Sequence, residues 1–235
     1  SPSKRGNFMM NNHNQLSSMM RTSLSNFQFP VVGISIIEGE IPILLQMFEH
    51  IPNSINMAFI IFNSSADNDI DHAIQSVTSM PAMFVKEKIN LEKNHIYIVS
   101  RQEKLMINGN YLEVIEVIHE WEELVAIDIF YRTLAEAYRE RVIAIVLSQA
   151  DTNGTIGLAK IKEQGSITFT QALKNTDNNA ISQLTPTTEV VDFVLPIIEI
   201  PQKLISLQAN IECIGFSPPG NAAENISSII LEETA

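Results

Sequence analysis

The hydrophobic positions of the chain fall into short runs rich in β-branched residues, and most runs are followed by segments with helical spacing. Val31–Ser35 is such a run, and after a turn it leads to Ile41–His50, where Pro42 lies in the first helical turn, which tolerates proline. Met57–Phe62 repeats the strand pattern, and a second helix ending near Thr78 is predicted after it. This alternation is typical of β-loop-α units.

The rest of the chain continues the alternation with one interruption. Further strands are predicted at Ala82–Val85, Ile96–Ser100, Leu105–Ile107, Tyr111–Val114, Arg141–Leu147, Ile167–Thr170 and Val191–Leu195. Further helices are predicted at Asp128–Arg139, Gly154–Gln164 and Ile200–Ala209. The interruption is an antiparallel excursion over the short strands between Ile96 and Val114, where Asn108-Gly109 is a favoured tight-turn pair. The fold class predicted is α/β, with a doubly wound, mostly parallel sheet, helices on both faces and an antiparallel hairpin.

Two segments give specific predictions about burial. Arg141–Leu147 is the most apolar run of the chain, so it is predicted to be a central strand buried on both faces. In the helix predicted at Asp128–Arg139, the apolar residues that mark one face are Ile129, Phe130, Leu134, Ala137 and Tyr138.

The 235 residues suit one domain with flanking segments, because single cores grow until roughly 250 residues. Residues 1–28 are rich in Asn, Ser and Met without a sustained period, and they are interpreted as a mobile lead-in or linker. The domain is predicted over residues 29–209, and residues 210–235 are interpreted as a tail or linker. Because the chain begins at Ser1, it is interpreted as a fragment of a longer protein.

Charge and composition narrow the classes of partner. A formal net charge of −12 without a basic stripe argues against nucleic-acid binding, which needs clustered Lys and Arg. No apolar run approaches the ~20 residues of a membrane span, so no membrane insertion is expected. The lone Cys213 fits a reducing compartment, and a cytoplasmic location is expected. No cofactor or metal site is predicted.

Three loops that follow predicted strands carry the candidate chemistry. They are the first loop, Gly33–Gly39, the second loop, Phe62–Ser65, and the third loop, Leu147–Thr155. Since the carboxyl ends of parallel strands meet at one rim of such a sheet, the three loops are expected to gather there. The polar side chains that are candidates to line a cleft at this rim are Ser35, Asn63, Ser65, Ser148, Gln149, Asp151 and Thr152.

A series of short segments resembles the catalytic domain of the chemotaxis protein-glutamate methylesterases of the CheB type. The resemblance runs from about Phe29 to Leu207. Its most specific pieces are Phe29-Pro30-Val31-Val32-Gly33-Ile34, Met80-Pro81, Asn94-His95-Ile96-Tyr97-Ile98, Asp128-Ile129-Phe130-Tyr131-Arg132-Thr133-Leu134-Ala135, Val146-Leu147-Ser148, Asn153-Gly154-Thr155-Ile156-Gly157-Leu158, Ile161-Lys162-Glu163 and Val191-Asp192-Phe193-Val194-Leu195-Pro196. The resemblance implies an ester hydrolase that removes methyl groups from receptor glutamates with a Ser nucleophile, a His base and an orienting Asp.

The resemblance also places the family's three catalytic positions on residues that lack the chemistry. The nucleophilic Ser falls on Ile37, the His falls on Ser64, and the Asp falls on Asn153. A Ser hydroxyl needs a neighbouring base to act as a nucleophile, and no His occurs in Phe59–Asp71. The glycines that precede the Asp in the family are replaced within Gln149–Asp151, which is expected to crowd the third loop.

Three functional hypotheses follow. The first is a catalytically inactive methylesterase-like domain that acts as an interaction or regulatory module of a bacterial chemotaxis or signal-transduction protein. Its expected partners are proteins: adjacent methyltransferase or sensor domains and chemoreceptor-like proteins. The second is an active protein-glutamate methylesterase that uses unrecognised groups. The third is a small-ligand-sensing domain in which Ile37 forms an apolar floor in the emptied cleft.

Overall fold

The computed structural model describes residues 29–147, 155–171 and 191–214. The main sheet contains seven strands: β1 (Val31–Ile36), β2 (Ala58–Asn63), β3 (Ala82–Phe84), β5 (Ile96–Ser100), β8 (Val142–Val146), β9 (Ile167–Gln171) and β10 (Phe193–Leu195). All neighbouring pairs in this sheet are parallel, in the order β10-β9-β8-β1-β2-β5-β3. The predicted fold class is therefore confirmed.

Helices cover both faces of this sheet. They are α1 (Ile41–Phe48), α2 (Ile70–Gln75), α3 (Glu120–Leu124), α4 (Ala126–Tyr138), α5 (Thr155–Glu163) and α6 (Ile200–Ile214). One face of the sheet packs against α1, α2 and α6, and the other packs against α4 and α5. Because both faces are covered, all six residues of β1 and all six of β2 are buried.

The chain order of the strands puts β1 at the centre of the sheet. β8 lies on one side of β1 and β2 lies on the other. The direction in which successive strands are added to the sheet therefore switches at β1. β8 has two sheet neighbours and is buried over most of its length, as its apolar sequence predicts. The carboxyl ends of β8, β1 and β2 therefore lie side by side at one rim.

The packing between β1 and α4 is unusually close at Gly33. An atom placed at the Cβ position of this glycine would lie 2.3 Å from Cδ1 of Leu134. No larger residue fits there unless Leu134 moves, so the absence of a side chain at Gly33 lets α4 approach the centre of the sheet.

The antiparallel hairpin is confirmed, but one predicted member lies elsewhere. β6 (Glu103–Asn108) and β7 (Tyr111–Glu116) pair antiparallel around Gly109, which has a φ of 61°, and β4 (Ile89–Asn90) completes this small sheet. Ile96–Ser100, predicted as part of the antiparallel excursion, is instead parallel strand β5 of the main sheet. Its residues Ile96–Val99 are buried on both faces, which suits a parallel strand flanked by two others.

Three details of the helices differ from the predictions. The short helix α3 was not predicted, because five residues give too little periodicity. In α4 the buried face includes Tyr131 and Ala135, whereas Ala137, predicted on that face, is exposed. The last helix extends through Ile214, beyond the predicted end at Ala209. The division into residues 1–28, 29–209 and 210–235 stays a prediction.

In the described ranges no helix is long and apolar enough to cross a membrane.

Candidate functional site

The first and second loops are joined directly at the rim where β1 and β2 end. The backbone N–H of Ser64 donates to the carbonyl oxygen of Ile36 at 2.9 Å, which continues the β1–β2 pairing one step past the strands. Further out, the N–H of Ala66 donates to Oε2 of Glu38 at 3.2 Å. These two bonds hold the first loop, which contains Ile37, and the second loop, which contains Ser64, together.

Tyr131, a residue of α4, connects the first loop to β8. Its hydroxyl lies 2.8 Å from the carbonyl oxygen of Ile145, 2.9 Å from Oγ of Ser35 and 3.0 Å from the N–H of Ser35. The carbonyl can only accept, so the single phenolic proton goes to Ile145 and the two groups of Ser35 donate to Tyr131. Burial raises the pKa of Tyr131 far above its ordinary value, the hydrogen bonds from Ser35 oppose this rise, and the charge of Glu40 adds to it. The Tyr131 hydroxyl is therefore uncharged, and its hydrogen bonds hold the first loop and β8 together.

Glu40 closes the first loop over the position of Ile37. Its Oε2 accepts from the N–H of Ile37 at 2.8 Å, and its own N–H donates to the carbonyl oxygen of Ile37 at 3.2 Å. Gly39 has a φ of 83°, a backbone conformation that favours glycine, and it allows this tight turn. Glu40 is only 6% exposed, so a carboxylate is buried against the backbone of Ile37. The half-buried side chain of Ile37 packs against the apolar cluster beneath α4.

The second loop satisfies its own polar groups. Oδ1 of Asn63 accepts from Oγ of Ser65 at 2.6 Å and from the N–H of Ser65 at 3.1 Å, while Nδ2 of Asn63 donates to the carbonyl oxygen of Asp67 at 2.7 Å. Oγ of Ser65 also accepts from the N–H of Asp67 at 3.3 Å. Both side chains are buried, and they stabilise the loop rather than take part in a reaction. Within the described residues, the Ser64 hydroxyl has no hydrogen-bond partner.

An open cleft of about 580 Å³ lies beside the second loop, between it and the base of the hairpin. Its described lining residues are Asn63, Ser65, Ala66, Asn68, Ser100, Arg101, Gln102, Glu103, Glu116, Val117 and Glu123. Asn63 and Ser65 of the second loop line this cleft, while their assignment to a cleft shared by the three loops stays a prediction. Ser35 does not line this one, because it is 5% exposed and engaged with Tyr131. Three Glu against one Arg make the lining acidic.

The remaining predicted residues belong to the third loop. Ser148, Gln149, Asp151, Thr152 and Asn153 lie outside the described residues. The segment just before them is well defined: the carbonyl oxygen of Val146, the last residue of β8, accepts from Oγ1 of Thr170 on β9 at 3.0 Å.

Two important residues were not among the sequence candidates. Glu40 precedes α1 without capping it through its side chain, and no signal in the sequence shows that its carboxylate bonds back to Ile37. Tyr131 lies in a segment that carries the family resemblance, but the helical pattern alone did not show that its hydroxyl points to β1.

The arrangement offers few groups for acid–base chemistry. The second loop contains no His, and two described histidines are hydrogen-bonded locally: Nδ1 of His50 is 2.9 Å from the carbonyl oxygen of Gln46, and Nδ1 of His95 is 3.0 Å from that of Lys93. Among the described residues no group of three or more His, Cys, Asp or Glu side chains is placed to hold a metal ion. The described part of the rim therefore contains side chains that hydrogen-bond to the loop backbone, together with an acidic cleft.

The fold and the rim define a class: a doubly wound α/β domain whose candidate site lies where β8, β1 and β2 end. The family model described as CheB methylesterase matches residues 31–204. The chain therefore belongs to the CheB methylesterase family, and the resemblance noted in the sequence is confirmed.

Two curated relatives are distant in sequence. The chain is 21% identical over 189 residues to the "Putative protein-glutamate methylesterase/protein-glutamine glutaminase" of Leptospira interrogans serogroup Icterohaemorrhagiae serovar copenhageni, and the match covers 79% of this chain and 97% of that protein. It is 20% identical over 229 residues to the "Probable protein-glutamate methylesterase" of Borreliella burgdorferi, covering 88% of this chain and 61% of that protein.

A solved structure has the same fold. The crystal structure of the Thermotoga maritima CheB methylesterase catalytic domain superposes with a TM-score of 0.65, at 17% sequence identity, and the match covers 76% of this chain and 98% of that one. At this identity the likeness concerns the fold.

Proposed function

We propose that this domain is a catalytically inactive member of the CheB methylesterase family, which acts by binding other proteins of a bacterial signalling system. The observation that carries the proposal is in the first loop, where the backbone N–H of Ile37 donates to the carboxylate of Glu40, and the sequence resemblance places the family's nucleophile on this same residue. Ile has no nucleophilic atom, so the acyl-enzyme step of a serine hydrolase has no starting group.

The same contact opposes the second requirement of ester hydrolysis. The tetrahedral intermediate carries an oxyanion, which serine hydrolases stabilise with backbone N–H groups near the nucleophile. Here the N–H of Ile37 already donates to a buried carboxylate, so an anion at this place would meet negative charge where it needs a donor. Loss of one such donor in a hydrolase costs about 100- to 1,000-fold in rate.

The second loop lacks a proton acceptor. The half-buried hydroxyl of Ser64 occupies the position of the family's His, and a hydroxyl does not accept a proton at neutral pH as imidazole does. Its neighbours Asn63 and Ser65 are engaged with each other and with the loop backbone. These contacts support the view that the second loop is built for rigidity.

The names of the relatives indicate where such a domain acts. They describe protein-glutamate methylesterases, and one name adds protein-glutamine glutaminase. We extend the protein-directed part of that description to this chain: it binds chemoreceptor-like proteins or the methyltransferase and sensor domains that accompany them, in the cytoplasm, and it releases no methyl group.

Methanol release from a methylated receptor fragment tests the proposal. The purified protein and an active methylesterase are assayed side by side, with a no-enzyme blank. We expect release equal to the blank. Release above the blank that is lost on Ser64→Ala, a change at the rim that leaves the core intact, would overturn the proposal and show an active methylesterase that uses unrecognised groups.

A second function is favoured by one observation, the open acidic cleft of about 580 Å³ beside the second loop. A cleft of this volume is within the range that small-molecule sites occupy. As a small-ligand sensor, the domain would be stabilised by a specific ligand, and a shift of the thermal midpoint in a screen of small cationic metabolites would detect it. A screen that yields no saturable shift argues for protein binding alone.

A further inference from the structure

An unusual concentration of exposed apolar side chains lies around the short helix α3. Ile118, Trp121 and Leu124 are 83%, 59% and 71% exposed, which is far more than large apolar residues show when they only cover a core. Val125, which follows α3 directly, and Ile115, on β7, are exposed as well. We call these five residues the apolar surface. Contiguous exposed apolar patches of this kind mark interaction sites.

The apolar surface is held in its outward orientation by polar contacts on the opposite side of α3. Oε1 of Glu122 lies 3.3 Å from Nζ of Lys104 on β6, and Oε2 of Glu122 accepts from the N–H of Ile118 at 3.3 Å. Lys104 is the cross-strand partner of Ile115, so the same contact joins the helix to the exposed face of the hairpin. Because Glu122 faces inward, Trp121 and Leu124 are directed to solvent by a fixed arrangement rather than by a loose helix.

The apolar surface continues into the acidic cleft. Val117 and Glu123, the residues that flank Ile118 and Leu124 in sequence, both line the cleft. Glu103 and Glu116 add two more carboxylates to its wall, against the single cation of Arg101 among the described lining residues. One continuous area therefore presents apolar side chains on one half and excess negative charge on the other.

We infer that this area binds a basic amphipathic helix of a partner protein, with the apolar face of that helix on Ile118, Trp121 and Leu124 and its Lys or Arg side chains in the acidic cleft. Trp121 and Leu124 are three residues apart on α3 and therefore lie on one side of that helix, and Ile118 is exposed just before the helix begins. This inference rests on the proposed function, because it names the class of protein that the domain binds.

Charge decides between this partner and a second copy of the chain. A two-fold symmetric dimer through the area would bring together two surfaces with the same excess of negative charge, in a chain whose formal net charge is −12. A basic helix meets the carboxylates with opposite charge and removes the apolar surface from water at the same time.

Trp121 is the single tryptophan of the chain and lies in the middle of the apolar surface, so its emission reports directly on occupancy. The probe is a synthetic amphipathic peptide of Leu and Lys, about 18 residues long, with Leu at helical spacing. It is titrated into the 235-residue chain. We expect a saturable blue shift of Trp121 emission and protection from acrylamide quenching. A peptide with the same Leu positions and Glu in place of Lys is expected to give neither effect.

Matched variants locate the site. Ile118→Ser with Leu124→Ser removes two side chains of the apolar surface, and we expect about tenfold weaker binding or more. The control is Val194→Ser with Ile198→Ser, which removes two apolar side chains that are also about half exposed but lie away from α3. The control is expected to bind as the parent does. Because all four residues are exposed, folding is not at risk, and circular dichroism verifies this.

Three results would overturn the inference. The first is equal binding of the Lys and Glu peptides, which would mean that charge plays no part. The second is equal weakening by both double variants, which would place binding elsewhere. The third is a Trp121 that is already shielded in the free protein, whether by residues 1–28 or by a second copy revealed in sedimentation. Methanol release is measured on the same preparation, so the failure of peptide binding and the failure of catalytic inactivity are read separately.

Discussion

The hydroxyl oxygens of Tyr131 and Ser35 lie 2.9 Å apart in the core, although the two residues are 96 positions apart in sequence. Through this contact and the bond to the carbonyl oxygen of Ile145, one side chain of α4 fastens the end of β1 to β8. Replacement of Tyr131 by Phe removes both and leaves the N–H of Ser35 without its acceptor. We predict a loss of about 1–3 kcal/mol in the free energy of unfolding, measured by urea denaturation.

The control for this prediction is Tyr111→Phe. Tyr111 is 42% exposed on the hairpin, so the same loss of one hydroxyl is expected to change the free energy of unfolding by less than about 0.5 kcal/mol. An equal effect of the two substitutions would show that the buried contacts of Tyr131 have no special weight.

Gly157 is predicted to reverse the usual effect of a Gly→Ala change in a helix. Such a change normally stabilises by about 0.5–1 kcal/mol. Here a Cβ would lie 2.8 Å from the carbonyl oxygen of Asp128 and 2.8 Å from Cβ of Tyr131, both on α4. The two helices cannot separate without losing the bond from the N–H of Gly157 to Oδ1 of Asp128 at 2.9 Å. We predict that Gly157→Ala destabilises by about 1–3 kcal/mol, and a rise in the denaturation midpoint would contradict this.

Acid is predicted to release α3 before the rest of the domain unfolds. Desolvation disfavours the charged form of Glu122, but bonds from Lys104, His119 and Ile118 and the charge of Lys104 outweigh it, and the pKa of Glu122 is lowered below its ordinary value of 4.5. A lowered pKa in the folded state means that the stabilisation is complete above the ordinary value and is lost as pH falls through the lowered one. The loss of α3 contacts therefore occurs below pH 4.5.

Trp121 emission between about pH 6 and pH 2 measures this transition. In Lys104→Met the midpoint is expected at higher pH, because the main partner of Glu122 is gone. Lys88→Met, which removes the exposed pair with Glu113, serves as the control and is expected to leave the midpoint unchanged. The His119 ring stacks on Trp121, so all proteins in this series carry His119→Asn and only the carboxylate is followed.

Restoring the family's catalytic residues is predicted to give at most weak esterase activity. In the triple variant Ile37→Ser, Ser64→His and Asn153→Asp, the Glu40 carboxylate still binds the N–H of residue 37, and the Gln149–Asp151 segment keeps its larger side chains. Adding Glu40→Gln removes the negative charge and is expected to raise the rate of the triple variant measurably. Turnover by the triple variant at the rate of an active family member would refute both arguments.

The strands were predictable because they are buried on both faces. Val31–Ile36 and Val142–Val146 appear in the sequence as continuous apolar runs, which few other structures require. The parallel arrangement was predictable from the alternation of strands and helices, whereas the order of the strands in the sheet was not among the predictions. The observed boundaries differ from the predicted ones by one or two residues at most strand ends.

The assignments that failed depend on contacts distant in sequence. Ile96–Ser100 has the composition of a strand in either sheet, and only its pairing with Phe59–Asn63 decides that it belongs to the parallel one. Ala137 and Tyr131 both fit an apolar helical face, and the position of β1 selects Tyr131.

Only part of the candidate site could be predicted from the sequence, because the rest also depends on contacts between residues that are distant in sequence. That the first two loops meet at one rim follows from topology, and Asn63 and Ser65 were identified as lining residues. The acidic wall of the cleft could not be foreseen, because Glu103, Glu116 and Glu123 come from the hairpin and α3, whose placement over the second loop leaves no local sequence signal.

The missing side chain at Gly33 has a mechanical consequence. It lets α4 pack closely against β1, and a hydrogen bond between Tyr131 and Ser35 joins the same helix to the strand two residues further along. Only Val125 separates α4 from α3. The chain therefore runs from α3, across this one residue, directly into a helix that is held at the root of the first loop.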